Sequence, residues 1–174
     1  QDLTVQLDEN GQASITPAMV DNGSTVSSGV ATLSLDITDF DCSNLGPNTV
    51  TLTVTDEDNN SDSATATVTV EDNLEPTALV QNITVELDAN GSASISASDI
   101  DDGSFDNCEI VSSILDVSSF DCSNLGTNNV VLTITDSSGN STSETAVVTI
   151  EDNLAPIALV QNITVELDAN GSAS

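Results

Sequence analysis

The chain has 174 residues and charge of one sign: 29 Asp and Glu against no Lys, Arg or His, a formal net charge of −29. A nucleic-acid partner is excluded because no side chain can neutralise phosphate. Membrane insertion is not expected, since no apolar run approaches the ~18 residues of a span, and an anionic membrane surface would repel the chain. Without His, Lys or Tyr as a base, and with no Ser or Cys beside one, the chain is predicted not to be an enzyme.

The sequence repeats with a period of 80 residues. About half of the positions in the first two repeats are identical, and residues 161–174 repeat residues 81–94 without a change. A period of this length sets the architecture, because each repeat has the size of a small folded module. We therefore predict two domains followed by the first strands of a partial third repeat, with the boundaries 1–80, 81–160 and 161–174.

The apolar residues of each repeat alternate with polar ones in short runs. High negative charge with few aromatic residues is also typical of disordered chains, but such chains lack this alternation. The Asn-Gly turn at 90–91 predicts a hairpin between 83–87 and 92–96, and no segment has the 3.6-residue period of a helix. Further strands are predicted at 108–115 and 117–122. Two more strands have the predicted buried positions Val130, Leu132, Ile134, Ala146, Val148 and Ile150.

Turns every ten residues or so between these strands predict an all-β protein made of β-sandwiches. The three Phe residues are the only aromatic residues, so such a core is thin. Modules this small usually need staples such as disulfides or metals.

Three cysteines bear on the compartment and on the staples. Cys108 and Cys122 flank a segment centred near Leu115, and they would lie opposite each other if that segment turns back. We predict that they form a structural disulfide rather than a redox or metal site, which indicates an oxidising compartment. The first repeat keeps Cys42 but has Ser28 where the second has Cys108. Cys42 is therefore predicted to be an odd thiol, either free or available to another chain.

Four motifs of the second repeat resemble the hyalin-repeat (HYR) family. They are Asp-Asn-Cys at 106–108, Phe-Asp-Cys-Ser-Asn-Leu-Gly at 120–126, Thr-Asp-Ser-Ser-Gly-Asn at 135–140 and Val-Thr-Ile-Glu-Asp-Asn-Leu-Ala-Pro at 148–156. The resemblance implies immunoglobulin-like (Ig-like) domains of about 80 residues, stacked end to end in tandem arrays on extracellular proteins of bacteria and animals. It implies an adhesive or structural role and an extracellular or cell-surface, secreted location.

The chain departs from that family in one respect and resembles a second family in another. Bacterial repeats of the HYR type often carry a second cysteine pair, and here Val80 and Glu144 occupy those places. The acidic segment 71–73 between the repeats resembles the linkers of cadherins, whose acidic and amide side chains bind calcium between domains.

Stacking of the repeats end to end would gather acidic loops at one junction. Counting strands from both ends of the second repeat places loops 99–107 and 136–140 beside the linker 71–73, and the turn at 8–10 reaches the same place. A site of many oxygen ligands at varied angles favours Ca²⁺, and no nitrogen or paired-thiolate set is available for zinc or copper. The predicted ligands, with their equivalents in the other repeat, are Glu71, Asp72, Asn73, Asp99, Asp101, Asp102, Asp106, Asn107, Asp136, Asn140, Asp8, Glu151, Asp152, Asn153, Asp88, Asp56 and Asp58. The alternative is that they are ordinary solvated turn residues.

The leading functional hypothesis is a calcium-stabilised structural segment of an extracellular filament or cell-surface stalk. Its partners would be calcium ions and neighbouring repeats or identical subunits. The alternative is an adhesin module that binds a glycan or a surface receptor. A third hypothesis is assembly by strand donation, in which 161–174 adds to the sheet edge of a neighbouring subunit.

Overall fold

The computed structural model describes residues 1–27, 29, 31–167 and 169–172. Within 1–27, 29 and 31–80, the first repeat contains six strands, one helical turn and one 3-10 turn. These are β1 (Leu3–Gln6), β2 (Gln12–Ser14), α1 (Pro17–Val20), β3 (Thr32–Leu35), β4 (Asp39–Asp41), the 3-10 turn Cys42–Asn44, β5 (Gly46–Thr55) and β6 (Ser61–Glu71).

The second repeat has the same elements in the same order. These are β7 (Ile83–Glu86), β8 (Ser92–Ser94), α2 (Ala97–Ile100), β9 (Ile110–Leu115), β10 (Ser119–Asp121), the 3-10 turn Cys122–Asn124, β11 (Gly126–Asp136) and β12 (Ser141–Glu151). The described part of the chain is therefore built mostly of β-strands, as the alternation predicts.

Each repeat forms one four-stranded and one two-stranded sheet. The four-stranded sheets have the orders β1-β6-β5-β3 and β7-β12-β11-β9, and the two-stranded sheets pair β2 with β4 and β8 with β10. The first strand of each repeat runs parallel to the last, with Val5 opposite Val70 and Val85 opposite Ile150. Since β12 starts beside the β11–β12 turn and ends at the next linker, it spans the repeat from one end to the other.

The predicted hairpin between 83–87 and 92–96 is wrong, although its turn forms. The N–H of Gly91 donates to the carbonyl of Asp88 (2.9 Å), but β7 pairs with β12 and β8 pairs with β10. The chain thus changes sheets at this turn. Alternation indicates only that one face of a strand is buried, and that requirement is equally met by two strands on opposite sides of a sandwich.

The core of each repeat lies between its two sheets. Val130, Leu132 and Ile134 of β11 are fully buried and pack in one cluster with Phe120 of the two-stranded sheet. Ala146, Val148 and Ile150 of β12 are buried in the same cluster, so the predicted buried faces are confirmed. A separate cluster in the first repeat includes Phe40. Phe105 does not belong to a core, because its side chain is 59% exposed.

Two short helices were not predicted. In α2 the N–H of Asp101 donates to the carbonyl of Ala97 (2.9 Å), and Ser96 and Asp99 form a capping box. A helix of one turn is too short to show a 3.6-residue period, so periodicity cannot detect it. No helix in the described part of the chain is long and apolar enough to cross a membrane.

The segment after Glu151 forms no strand within 152–167 and 169–172. Ile163 and Val165 are 75% and 55% exposed, although their equivalents Ile83 and Val85 pack against the second core. The difference has a simple cause, since β7 obtains its hydrogen bonds from β12 and no described strand plays that part for 161–167. The predicted boundaries at 80 and 160 remain a prediction.

The buried face of β11 can be tested with a matched pair of substitutions. Ile134→Ala removes a fully buried side chain and is expected to lower the free energy of unfolding of the second repeat by about 2–5 kcal/mol. Ile114→Ala, at a position 62% exposed, is expected to cost less than about 1 kcal/mol. Urea unfolding followed by far-UV circular dichroism measures both, since the chain has no Trp or Tyr. Equal losses would contradict the assigned faces.

Candidate metal centre between the repeats

Three carboxylates from three different segments meet where the repeats join. Asp72 lies in the linker after β6, Asp106 lies in the loop before β9, and Asp136 ends β11. One side-chain oxygen from each lies within 4.8 Å of the others. We call the region formed by 71–73, 106–108 and 136–140 the junction.

Asp136 is held in place by its own turn. Its side chain is 1% exposed, and its Oδ1 accepts hydrogen bonds from the N–H groups of Ser138 (2.9 Å) and Asn140 (2.8 Å). Its Oδ2 accepts from Nδ2 of Asn140 (2.7 Å). Gly139 has a φ of +94° in this turn, a backbone conformation that residues with a side chain rarely adopt. The turn residues therefore orient the carboxylate toward the linker.

Asp72 is the most buried residue of the linker, at 4% exposure. Its Oδ1 accepts from the N–H of Leu74 (3.2 Å) and from Nδ2 of Asn107 (3.2 Å), and its backbone carbonyl accepts from Nδ2 of Asn140 (3.1 Å). Two amide side chains of the second repeat, those of Asn107 and Asn140, thus hold the linker.

Two buried oxygens at the junction have no hydrogen-bond partner. They are Oδ2 of Asp72 and Oδ1 of Asn107. A buried polar atom without a partner costs about 1–3 kcal/mol, and more when it is charged. Both atoms are acceptors, so the partner they require is a donor or a cation. The donor set here is carboxylate and amide oxygen, which is the chemistry that hard divalent cations prefer.

Repulsion among the three carboxylates also favours a bound cation at the junction. Two like charges no more than 4.8 Å apart repel by about 3 kcal/mol or more at an effective dielectric constant of about 20. The chain has no cationic side chain that could offset this repulsion. The N–H of Cys108 donates to Oδ2 of Asp106 (2.9 Å), but hydrogen bonds leave the second oxygen of Asp72 uncompensated. A divalent cation would compensate both the repulsion and the buried oxygen.

The turn between β1 and β2 closes the junction from the first repeat. The backbone carbonyl of Asp8 accepts from Nδ2 of Asn107 (3.2 Å). Gly11 has φ +69°, and a Cβ there would lie 2.6 Å from the carbonyl oxygen of Asn107. Any side chain at Gly11 would push the second repeat away, so the turn approaches the junction closely only because this residue is glycine.

The predicted Cys108–Cys122 disulfide is wrong. Cys108 is bonded to Cys42 of the first repeat, with an S–S distance of 2.02 Å and a Cα–Cα distance of 5.7 Å, and Cys122 is a free, exposed thiol. Cys108 lies at the end of the second repeat that contacts the first, whereas β10 carries Cys122 to the opposite end, beside Gly91. The odd thiol is therefore Cys122 and not Cys42. Ser28 lies outside the described residues.

Sequence reasoning missed the bond that joins Cys42 to Cys108 of the junction. The available signal was the missing cysteine at position 28, which leaves Cys42 without a partner in its own repeat. Cys42 and Cys108 lie on opposite sides of the linker, so a bond between them required the two repeats to pack with those ends together.

Five predicted ligands come together at the junction: Asp72, Asp106, Asn107, Asp136 and Asn140. The remainder of the loop 99–107 has other partners. Asp99 accepts from the N–H and the hydroxyl of Ser96 (both 2.7 Å). Asp101 accepts from the N–H of Ser104 (3.0 Å), and Asp102 is exposed. The start of this loop therefore caps and shapes its own turns.

Glu71 and Asn73 flank Asp72 but are exposed. The side chain of Gln6 donates to Glu71 (2.7 Å) and accepts from Asn73 (2.7 Å). Side chains alternate along the chain here, so the neighbours of a buried Asp72 point to solvent. The equivalents in the second repeat, Glu151, Asp152 and Asn153, are all exposed.

Four further predicted ligands lie in turns or away from the three-carboxylate cluster. Asp8 accepts from the N–H groups of its own turn, and hydrogen bonds from the backbone of Gln12 and Asn10 hold its pKa below the ordinary value. Asp88 does the same in its turn, and its pKa is also lowered. The pKa of Asp56 is lowered by hydrogen bonds from Asn60, first from its side chain and then from its backbone N–H. Asp58 is exposed. For these residues the interpretation as solvated turn residues describes the structure better.

Comparison with known proteins identifies no family for the chain. No protein-family model and no curated protein matches the sequence. Similar solved structures include the extracellular cadherin domains 1–4 of protocadherin gamma B7 (11% identity, 87% of this chain and 49% of that chain, TM-score 0.38). Drosophila N-cadherin EC1-4 is also similar (12% identity, 86% of this chain and 47% of that chain, TM-score 0.43). So are the fibronectin(III)-like modules of Clostridium thermocellum CbhA (10% identity, 80% of this chain and 88% of that chain, TM-score 0.33).

These likenesses have limited weight. The chain spans about half the length of the two cadherin chains, and all three TM-scores are below 0.5, so they assign neither a function nor a family. The resemblance to hyalin repeats remains a prediction from the motifs.

The disulfide pairing can be checked by counting thiols. Under denaturing, non-reducing conditions the chain is expected to have one free thiol, Cys122→Ala none and Cys42→Ala two. Cys108 and Cys122 lie at opposite ends of the repeat, so the loss of Cys42 does not allow them to pair. A Cys108–Cys122 bond would give the reverse counts, none in Cys42→Ala and two in Cys122→Ala.

The turn carboxylates predict a specific acid response. The backbone N–H of Ser92 and then that of Asn90 hold the pKa of Asp88 below its ordinary value of 3.8. A lowered folded-state pKa contributes stability that is complete above the unfolded value and is lost as pH falls through the folded value, so the loss lies below pH 3.8. NMR titration of the carboxyl carbon in about 1 M salt, which screens the net charge, is expected to show Asp88 titrating below 3.8. A midpoint above that value would contradict the turn assignment.

Proposed function

We propose that the chain is a calcium-stabilised structural segment of an extracellular filament or cell-surface stalk, built from tandem Ig-like domains with boundaries near residues 80 and 160. The observation that carries the proposal is the cluster of Asp72, Asp106 and Asp136 at the junction, with two buried oxygens that have no donor. A cation bound there would contact both repeats.

Calcium fits this set of ligands better than other divalent ions. All available ligand atoms are oxygens from carboxylates, amides and the backbone, and they come from three separate segments, which suits the variable geometry of Ca²⁺. Mg²⁺ requires near-ideal octahedral geometry and retains its waters. Zinc prefers nitrogen and sulfur ligands; the chain has no His, and the sulfurs of Cys42 and Cys108 are bonded to each other.

The stabilisation that calcium would give the folded chain follows from the affinity of the site for calcium. Extracellular calcium modules have dissociation constants of about 10⁻⁴–10⁻³ M. At a few millimolar calcium, one such site stabilises the folded chain by about 1–2 kcal/mol. This is a useful fraction of the 5–15 kcal/mol that is typical of whole proteins. In an array with many junctions the contributions would add, and each bridged linker would resist bending.

An extracellular location is supported by the disulfide, since disulfides persist mainly in oxidising compartments. The motifs that resemble hyalin repeats support the same location and the tandem arrangement. The lack of Lys and Arg also removes every site for trypsin-type proteases, which suits an exposed fibre.

The alternative, an adhesin module that binds a glycan or a surface receptor, ranks second. Rings that could stack on a sugar are limited to Phe105, because the other two Phe residues, Phe40 and Phe120, are buried. Strand donation by 161–174 would require a sheet whose last strand has no first strand paired beside it. In both described repeats that place is taken, by Leu3–Gln6 beside β6 and by Ile83–Glu86 beside β12.

The calcium site is tested by Asp72→Asn, measured as the shift of the melting temperature between excess chelator and about 3 mM Ca²⁺. The unaltered chain is expected to gain about 1–2 kcal/mol with calcium. Asp72→Asn is expected to lose most of this gain but to be at least as stable as the unaltered chain in chelator, because the substitution removes one of three like charges.

The control is Asp152→Asn, the equivalent substitution at an exposed position. It is expected to leave the calcium response unchanged. Asp136→Asn and Asp56→Asn form a second matched pair with the same expectation, because Asp136 is at the junction and Asp56 is not. No calcium response in the unaltered chain, or the same response in Asp72→Asn, would refute the proposed site.

A further inference from the structure

The second repeat contacts the first repeat at one end. Its opposite end has the same local structure as the end of the first repeat that takes part in this contact. The Sγ of Cys122 lies 3.8 Å from the carbonyl oxygen of Gly91, and the Sγ of Cys42 lies 3.8 Å from that of Gly11. A Cβ at Gly91 would lie 2.8 Å from the sulfur of Cys122, against 2.7 Å for Gly11 and Cys42. Each sulfur therefore sits in the same position over its turn.

The linker residues beyond this end also match. Oδ1 of Asp152 accepts from the N–H of Leu154 (3.0 Å), as Asp72 does from Leu74 (3.2 Å). We call the surface formed by 88–91, Cys122 and Asp152 the distal face. Its residues differ from their counterparts in exposure: Asp152 and Cys122 are exposed, whereas Asp72 is 4% exposed beneath the second repeat.

The partner of the corresponding face in the first repeat is known from the junction. It is a surface with Cys108 preceded by Asp106 and Asn107, next to the turn with Asp136 and Asn140. Any repeat with this set of residues presents the chemistry that the distal face lacks: a thiol for Cys122, an amide to donate to Asp152, and two carboxylates to complete a cation site.

We propose that the distal face docks a further repeat of the Asp-Asn-Cys type and that Cys122 forms a disulfide with the cysteine of that repeat which corresponds to Cys108. The sequence commits to this occupant, because residues 161–174 repeat 81–94, the opening of such a repeat, without a change. The inference does not rest on calcium, since the Cys42–Cys108 bond is covalent.

Formation of the bond needs a disulfide oxidant, such as oxidised glutathione. The thiolate of Cys122 attacks one sulfur of the oxidant, which forms a mixed disulfide and releases one thiolate. The thiolate of the second cysteine then attacks the sulfur of Cys122 and releases the other half of the oxidant. Two protein thiols are oxidised to one disulfide, and one disulfide is reduced to two thiols.

A second copy of this chain is not the occupant. In the first repeat, Val26, Ser27 and Ser28 stand where Asp106, Asn107 and Cys108 stand in the second. That repeat therefore lacks the thiol of Cys108 and the carboxylate and amide side chains of Asp106 and Asn107. Stacking is therefore directional, and the first repeat is not linked in this way on its other side.

The experiment completes a third repeat by adding a second copy of residues 95–160 after Ser174. This third repeat then has the sequence of the second, and the two added cysteines bring the three in the chain to five. After refolding with a glutathione redox buffer, thiols are counted under denaturing, non-reducing conditions. We expect two disulfides and one free thiol in a monomeric chain, and an increase in the far-UV β-sheet signal shows that the added repeat has folded.

Cys122→Ser in the extended chain identifies the bond. The proposal expects one disulfide and two free thiols in this variant. The matched control replaces the added Asp-Asn-Cys with Val-Ser-Ser, the residues of the first repeat, and also expects one disulfide and two free thiols. Three free thiols in the extended chain, or two disulfides that persist in Cys122→Ser, would overturn the proposal.

Two other outcomes are informative. Dimers linked through Cys122, seen on a non-reducing gel, would show that the distal face pairs with itself and would also overturn the proposal. If the added repeat does not fold, it is rebuilt from residues 15–80 with Val26→Asp, Ser27→Asn and Ser28→Cys, and the same thiol counts apply. Failure of the calcium test would leave these counts unaffected, so the two proposals can fail separately.

Discussion

Three carboxylates brought together by two repeats are the interaction on which the junction depends. Asp72, Asp106 and Asp136 come from three segments of a chain that has no cationic side chain. Their turns supply donors for most of the oxygens, yet Oδ2 of Asp72 is buried without one. Folding alone therefore brings the carboxylates together at an electrostatic cost, which the divalent cation that we propose here would remove.

The internal repeat supplies its own control for this interpretation. Asp56 and Asp136 occupy the same place in the same turn, but in the part of the chain that the structure describes only Asp136 is buried. Its turn contacts the linker from the first repeat through Asn140. Asp72 and Asp152 differ in the same way. The sequence around each residue is thus sufficient for the turn, and contact between repeats is required for the site. The cluster is a property of the contact between the two repeats and not of one repeat.

Sequence reasoning reached the buried faces and the place of the junction, and it failed where the choice of partner was involved. Val130, Leu132 and Ile134 were predictable because alternation reports burial directly. The strand that pairs with β7 and the disulfide partner of Cys108 were not predictable from the sequence, since each has two candidate partners and only the packed structure selects one. The same limit explains why Asp99 and Asp88 were predicted as metal ligands. A carboxylate side chain suits a metal ligand and a turn equally well, and in the structure both residues hold their own turns.

The disulfide and the acidic cluster reinforce each other because they share one short segment. Asp106, Asn107 and Cys108 are consecutive, so the bond to Cys42 fixes the backbone that presents the other two side chains to Asp72. A ligand that is already held in place loses less entropy when it binds an ion, and a covalent link keeps the two halves of the site at high effective concentration. In the proposed calcium site, the disulfide would keep the ligands assembled when the ion leaves, while the ion would remove the repulsion that the assembled ligands create.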